Sequence, residues 1–425
     1  MPPASPSWRQ LGIRRRFRQT PPHNAKKERT QAVDSADVVI VGGGIVGSAA
    51  AYFLSTDSAF RGRRIVLVER DTSYAQGSTA RAVGGLRQQF STPENVALSL
   101  ATLAILRRLK TIFGAEADVA FREQGYLVMA SHEGRARLAE NVALQQSMQA
   151  DIALLEPPAL ARQFPWLVDE GVAAAGFGQS GEGWFDPISL ANLFRKAAVA
   201  KGATVVHDRV SGIDVAGGRV AGVALAGGTT IACGALVNAA GAWSGEVAAL
   251  AGIALPVEPR KRFVYVIDCR EAGEALHRAP LAVDPAGVWF RPEGKFFLAG
   301  KSPEPGQEPP IGDLDFIDHA FFDEEVWPVL AARVPAFESV KVVNAWAGYY
   351  DYNTLDQNAV ISAHPEIGNL YFANGFSGHG AQQAAGAGRA VAELIAHGGF
   401  RTIDLTRFGY ARIARGEPLA ELNVI

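Results

Sequence analysis

Four runs along the chain carry no charged residue: Val38 to Val41, Ile65 to Val68, Ala235 to Val237 and Leu370 to Ala373. Continuous apolar runs of this length read as strands buried on both faces, the pattern of a sheet covered by helices. Other stretches have helical spacing. From Glu94 to Phe113 the apolar positions Val96, Leu98, Leu100, Leu103, Leu106 and Leu109 recur, after Ser91-Thr92-Pro93 as cap and first-turn proline. Arg135 to Gln149 and Ser189 to Ala200 read as further helices, the second running into a strand from Thr204 to His207. Val220 to Ala226 and Thr229 to Ile231 flank Gly227-Gly228 as a hairpin, while Arg262 to Asp268 and Phe296 to Leu298 read as strands with aromatic content. After Leu370 to Ala373, a glycine-rich turn leads into a long helix that ends at His397, before Gly398-Gly399.

Composition narrows the class. A net charge of −2 over 425 residues gives no reason to expect nucleic acid or an anionic membrane as partner. No apolar run approaches the ~18 residues of a membrane span, so a transmembrane protein is not expected. Cys233 and Cys269 are the two cysteines, too few for a disulfide framework or a cysteine metal site; a reducing compartment fits. Residues 1–36 differ from the rest. Arginines and lysines from Arg9 to Arg29 face one acid, Glu28, before Asp34, and five prolines oppose regular structure. This segment is expected to be a disordered basic leader, either a targeting peptide or a mis-assigned start. The compartment would be the cytoplasm for a bacterial protein and the mitochondrial matrix otherwise.

The strongest chemical signal sits on the first run. Gly42, Gly44 and Gly47 follow the strand in G-x-G-x-x-G spacing, and a helix begins near Ile45 and Val46. Gly42 permits the tight turn, Gly44 lets backbone approach a pyrophosphate, and Gly47 lets helix and strand pack closely. The helix-start amides and dipole favour phosphate there. The second run ends at Glu69, followed by Arg70, where a carboxylate accepts hydrogen bonds from a ribose diol. Strand, glycines, helix, strand and acid in that order predict a dinucleotide site.

A second strand-to-helix turn, Gly375-Phe376-Ser377-Gly378-His379-Gly380 with Ala381 and Gln382 behind it, lies near the C-terminus. Amides at that helix start would offset negative charge developing on a reduced ring. His379 is either catalytic or shape-filling. Between the two, the segment Gln76 to Phe90 follows the ribose strand. Ser78 and Thr79 offer hydroxyls, Gly84-Gly85 permits close passage, and Arg81 and Arg87 face pyrophosphate, substrate carboxylate or solvent. Trp346, Tyr349, Tyr350 and Tyr352 would wall an apolar or methylammonium pocket, or pack as core.

These landmarks, with Val237-Asn238-Ala239-Ala240-Gly241-Ala242-Trp243-Ser244, Gly183-Trp184-Phe185-Asp186-Pro187 and Trp346 to Thr354, resemble the FAD-dependent D-amino-acid oxidase superfamily from about residue 37 onward. The resemblance implies an α/β (α+β) fold: a discontinuous Rossmann-like FAD-binding domain (37–90, 180–255 and 343–400) plus a mixed or antiparallel β-sheet substrate domain (91–179 and 256–342), with 401–425 as a C-terminal extension. It implies FAD, held through the glycine loop, Glu69, Val210 at the adenine, Ala240, Gly241 and Trp243, and the Gly375 to Gly380 loop. It also implies oxidation of the C–N bond of a small amine or amino acid by hydride transfer.

Departures from the family sharpen the expectation. The cysteine and histidine that tether flavin in relatives are missing near Tyr349 and Arg81, so FAD is expected to be noncovalent. Carboxylate-binding cations of relatives are replaced near Tyr350 and Gln382. Arg291, Arg262 and Arg87, in that order, become the candidates to hold a substrate carboxylate. The lysine that activates oxygen in sarcosine oxidase aligns near Leu298, which favours an electron acceptor other than oxygen. A small slip in that alignment would bring Lys301 or Lys295 into play. One mitochondrial branch of the family is associated with assembly of respiratory complex I, so complex I subunits are alternative partners.

Overall fold

The computed structural model describes residues 33–422. Of the expected leader, residues 1–32 lie outside the described residues, whereas Ser35 and Ala36 already form the start of the first strand, Ser35–Val41, paired with Ala232 and Cys233.

Two large sheets carry the fold. The four apolar runs all enter the first, an eight-stranded sheet whose main order is Val360–Ala363, Leu370–Asn374, Thr230–Asn238, Ser35–Val41, Ile65–Glu69 and Thr204–His207. The pairings from Leu370–Asn374 to Thr204–His207 are parallel. The Val210–Ala216 and Arg219–Leu225 hairpin extends it antiparallel to Thr230–Asn238. That last strand is continuous, so the expected hairpin partner, from Thr230 to Ile231, and the buried strand Ala235 to Asn238 are two parts of one element. The helices Ile45–Thr56, Pro187–Ala200 and Gly380–His397 pack on this sheet through Ala50, Leu54, Ala198, Ala387 and Val391.

The second sheet also has eight strands, in the order Val340–Asn353, Val257–Cys269, Phe296–Gly300, Trp289–Glu293, Leu281–Val283, Tyr126–Ala130, Ala174–Gly178 and Ile152–Leu155. All its pairings but one, Leu281–Val283 with Tyr126–Ala130, are antiparallel. A core of Leu127, Phe263, Tyr265, Phe290, Phe297 and Phe337 covers one face.

Two boundaries differ from those the resemblance implied. The strand Val340–Asn353, expected with the FAD-binding segments, hydrogen-bonds along the second sheet. Its alternating burial over Ala347 to Asn353 lets it pack on that sheet while its end reaches the glycine-rich turn. The helix Pro93–Arg107, expected with the substrate segments, packs Leu98 into the core beneath the first sheet. The predicted Glu94 to Phe113 helix is two helices, Pro93–Arg107 and Leu109–Phe113, because the amide of Arg108 turns to the nearer carbonyl of Ile105 at 3.1 Å.

Candidate functional site

The glycine turn after the first strand is built by close approach. Gly42 has φ +101°, in the left-handed region, and a Cβ on Gly47 would stand 1.9 Å from the carbonyl oxygen of Gly42. No side chain caps the Ile45–Thr56 helix at Gly44. Beside the turn, Glu69 accepts from the amides of Gly43 at 2.8 Å and Asp71 at 2.9 Å, which orients its carboxylate at the strand end. Thr79 Oγ1 accepts from the Ile45 amide at 3.1 Å.

A cavity of about 290 Å³ lies between the two sheets. From the first turn it takes Gly44, Ile45 and Val46; from the following segment it takes Ser78, Thr79, Arg81, Gly84, Gly85 and Arg87. The late turn contributes Phe376, Gly378, His379, Gly380, Ala381 and Gln382, and Gly241 closes one end. The second sheet supplies Arg262 and Tyr350. A smaller hollow of about 160 Å³ adjoins along 239–243 and is lined by Gly42, Glu69, Arg70, Val210, Ala240 and Trp243. Two predicted residues sit behind the wall: Gly47 under the first turn, and Gly375, whose Cβ would stand 3.0 Å from Val257 Cγ2.

The late turn is held in an unusual conformation. Gly375, Ser377 and Gly378 all have positive φ (73°, 50° and 93°). Ser377 pays the steric cost of a side chain there, on the order of 1 kcal/mol. Asp351 braces it: its carbonyl accepts from the Ser377 amide at 2.8 Å, its carboxylate from the Phe376 amide at 3.1 Å, and Ser377 Oγ accepts from the Asn353 amide at 3.0 Å. Burial pushes the Asp351 carboxyl up to about 6 against those amide bonds. No side chain caps the Gly380–His397 helix at His379, and a Cβ on Gly378 would meet nothing within 4 Å.

Arg87 and His379 meet in the wall. Arg87 Nη2 lies 3.2 Å from His379 Nε2, Arg87 Nη1 donates to the Gln89 carbonyl, and the guanidinium carbon sits 4.2 Å from the Phe90 ring centre. Burial, then the charge of Arg87, holds His379 well below the usual histidine range, and burial lowers Arg87 as well. Behind them the fully buried Glu182 accepts from the Gln88 amide at 2.5 Å and from Gln89 Nε2 at 2.8 Å. Burial pushes its carboxyl up to about 7.

The carboxylate candidates part company here. Arg291, first of the three, does not line the cavity: it pairs with Glu293, donates to the carbonyls of Val83 and Pro292 at 3.0 Å, and stacks 5.0 Å from the Trp184 ring centre. Its guanidinium is thus engaged by the chain itself. Arg262 lines the cavity, 4.9 Å from the Tyr350 ring centre, with Nη1 donating to the Lys261 carbonyl. Arg81 donates to the carbonyls of Ala75 at 2.9 Å and Ala347 at 2.8 Å, so it fastens its own segment to the second sheet.

The aromatic group also divides. Tyr350 faces the cavity; Tyr349 also borders it but donates to and accepts from Gly312, and Trp346 Nε1 donates to the Arg81 carbonyl at 2.9 Å. Leu298 is buried in its strand, while Lys301 lines the cavity with Nζ 2.7 Å from Glu325. Three residues were not legible as site residues in the sequence: Tyr126, which lines the cavity, Asp351 and Glu182. Tyr126 gave no signal; Asp351 was hidden among aromatics; Glu182, an acid between two glycines, was the one detectable oddity.

The geometry suits an elongated ligand with phosphate at one turn, a ribose diol at Glu69 and a planar ring along the late turn. The sequence profile described as "FAD dependent oxidoreductase" (DAO) matches residues 37–394. A FAD-dependent oxidoreductase domain-containing protein 1 from Xenopus laevis is 44% identical over 428 residues, covering 92% of this chain and 85% of that protein. Human mitochondrial dimethylglycine dehydrogenase is 26% identical, covering 89% of this chain and 44% of that protein. The crystal structure of L-proline dehydrogenase from P. horikoshii superposes with a TM-score of 0.79 at 27% identity, covering 91% of this chain and all of that one.

Proposed function

This chain belongs to the DAO family of FAD-dependent oxidoreductases, and on that premise we propose that it oxidises the C–N bond of an amino acid or N-methylated amine. Bound FAD, the family's cofactor, supplies a two-electron acceptor at its ring. Neither Cys233 nor Cys269 lines the cavity, in keeping with noncovalent binding. The rest is the work of the chain. The Gly42 to Gly47 turn and its helix start would hold the pyrophosphate, and Glu69 would accept from the ribose. Val210, Arg70 and Trp243 would enclose the adenine. Amides of the Gly375 to Gly380 turn and the positive end of the long helix would offset negative charge at the ring.

On the facing wall Arg262 holds the substrate carboxylate, and Tyr350 orients the carbon that loses hydride. His379 stays neutral beside Arg87, so a substrate amine entering without its extra proton meets no added cation there. Lys301 is neutralised by Glu325, which supports an acceptor other than oxygen. The observation that carries this reading is the single cavity bordered at once by both glycine turns and by Arg262.

A second reading, a flavin-bound assembly factor for respiratory complex I, is favoured by one observation: Arg291 is engaged in structure and leaves fewer cations facing the cavity. Either reading fits the bacterial cytoplasm or the mitochondrial matrix. An anaerobic screen of N-methyl amines and of D- and L-amino acids against the purified holoprotein separates the two. Bleaching of the flavin with slow recovery in air is expected. No bleaching with any of them, together with co-purifying complex I subunits, would favour the second reading.

A further inference from the structure

The C-terminal segment carries a buried polar clamp that reaches the cavity wall through intervening side chains. Glu421, 4% exposed, accepts from the Ser91 amide at 2.7 Å and Ser91 Oγ at 2.6 Å through one oxygen. Through the other it accepts from the Thr92 amide at 3.2 Å, Thr92 Oγ1 at 2.9 Å and Asn95 Nδ2 at 2.8 Å. The Pro93–Arg107 helix has no side-chain cap of its own at Thr92, so its start is satisfied by a carboxylate more than 320 residues away.

The clamp does not stop at the helix end. Asn95 Oδ1 accepts from Gln383 Nε2 at 2.9 Å, in the first turn of the Gly380–His397 helix. The neighbouring Gln382 accepts from the Arg87 amide at 2.8 Å, and Ser99, one turn further along the clamped helix, donates to the Arg87 carbonyl at 2.5 Å. Both backbone groups of Arg87 are thus held by the two helices that Glu421 and Asn95 tie together. A second anchor fixes the approach of the tail: Arg412 pairs with Asp356 at 2.7 Å, Asp356 accepts from the Leu419 amide at 3.0 Å, and Asn358 joins the Leu419 carbonyl to Asn95.

We propose that residues 419–422 buttress the cavity wall from behind, with Glu421 as a positioning residue that sets Arg87 and the start of the Gly380–His397 helix through Asn95 and Gln383. An apolar side chain would anchor a tail as firmly. A buried carboxylate that needs two backbone amides, two hydroxyls and an amide side chain specifies one arrangement, because each donor left unmatched costs free energy.

The test uses the full chain and three variants: Glu421→Gln, Gln383→Leu, and Glu417→Gln as a control in the exposed pair with Arg415. Amide hydrogen exchange and FAD affinity are read together; the affinity readout rests on the cofactor reading above. The first two variants should each speed exchange at Arg87 and over 380–384 about ten-fold and weaken FAD binding about ten-fold, the scale of one buried hydrogen bond. The control should do neither. Faster exchange confined to 91–96, with Arg87 and FAD unaffected, would overturn the proposal and leave Glu421 a helix cap. If Glu421→Gln fails to accumulate, an unchanged Arg87 amide in Gln383→Leu overturns it alone. A wild-type chain that takes up no FAD would sink the cofactor reading while the exchange result stands.

Discussion

Arg87 Nη2 stands 3.2 Å from Nε2 of His379, and both side chains are buried. A guanidinium has donors and no acceptor, so Nε2 must carry the lone pair and the imidazole is neutral. Replacing Arg87 with Gln removes the nearby charge but not the burial, which is the larger cause of the depressed proton affinity. His379 in the Arg87→Gln protein should therefore titrate at a higher pH than in wild type while still below 6.5, as followed by NMR of labelled imidazoles. An unchanged titration would mean that the contact carries no electrostatic weight.

Glu182 predicts a pH dependence of stability. Its carboxyl is pushed from 4.5 up to about 7 by burial, so between these values the folded chain holds a proton that the unfolded chain has lost. More protons bound by the folded state means that stability falls as pH rises through that window. The margin of wild type over Glu182→Gln, measured by denaturant unfolding, should shrink from pH 4.5 to pH 7. A margin independent of pH would refute the assignment.

Glu69 is oriented by two amides before any ribose arrives. Glu69→Ala removes both bonds and the ribose acceptor. FAD affinity should fall roughly thirty-fold, about 2 kcal/mol, by fluorescence quenching, with Glu69→Gln intermediate. Equal affinities would place the adenosine elsewhere.

Arg262 is the cation that the second sheet turns toward the cavity from beside Tyr350. For a substrate bearing a carboxylate, Arg262→Met should raise KM about ten- to hundred-fold, the worth of one charged hydrogen bond, and change kcat less. Rates with an uncharged amine should hardly move. A loss in kcat alone would argue against a binding role.

Much of the first sheet was readable because its signals are local. A buried strand, three spaced glycines and a terminal acid act within about thirty residues, and each constrains its neighbours directly. What the chain concealed depends on distant partners. Nothing near Arg291 in sequence announces that the carbonyl of the distant loop residue Val83 accepts from it, beside its pairing with Glu293. Tyr349 is one step from Tyr350, which reverses the side reached and brings its hydroxyl to Gly312, while Trp346, on the side of Tyr350, gives its N–H to the distant Arg81 carbonyl. Glu421 carries no motif, because its meaning lies in Ser91 and Thr92.

The order of strands in the first sheet has a consequence for biosynthesis. Ser35–Val41 meets one neighbour, Ile65–Glu69, early, but its other neighbour, Thr230–Asn238, and the strand beyond that, Leu370–Asn374, are made only much later in the chain. Such remote pairings fold slowly and leave the early strands waiting with bare edges. The first sheet, and the cavity to which Ala373 of its late strand contributes, is therefore complete only once the last fifth of the chain is made.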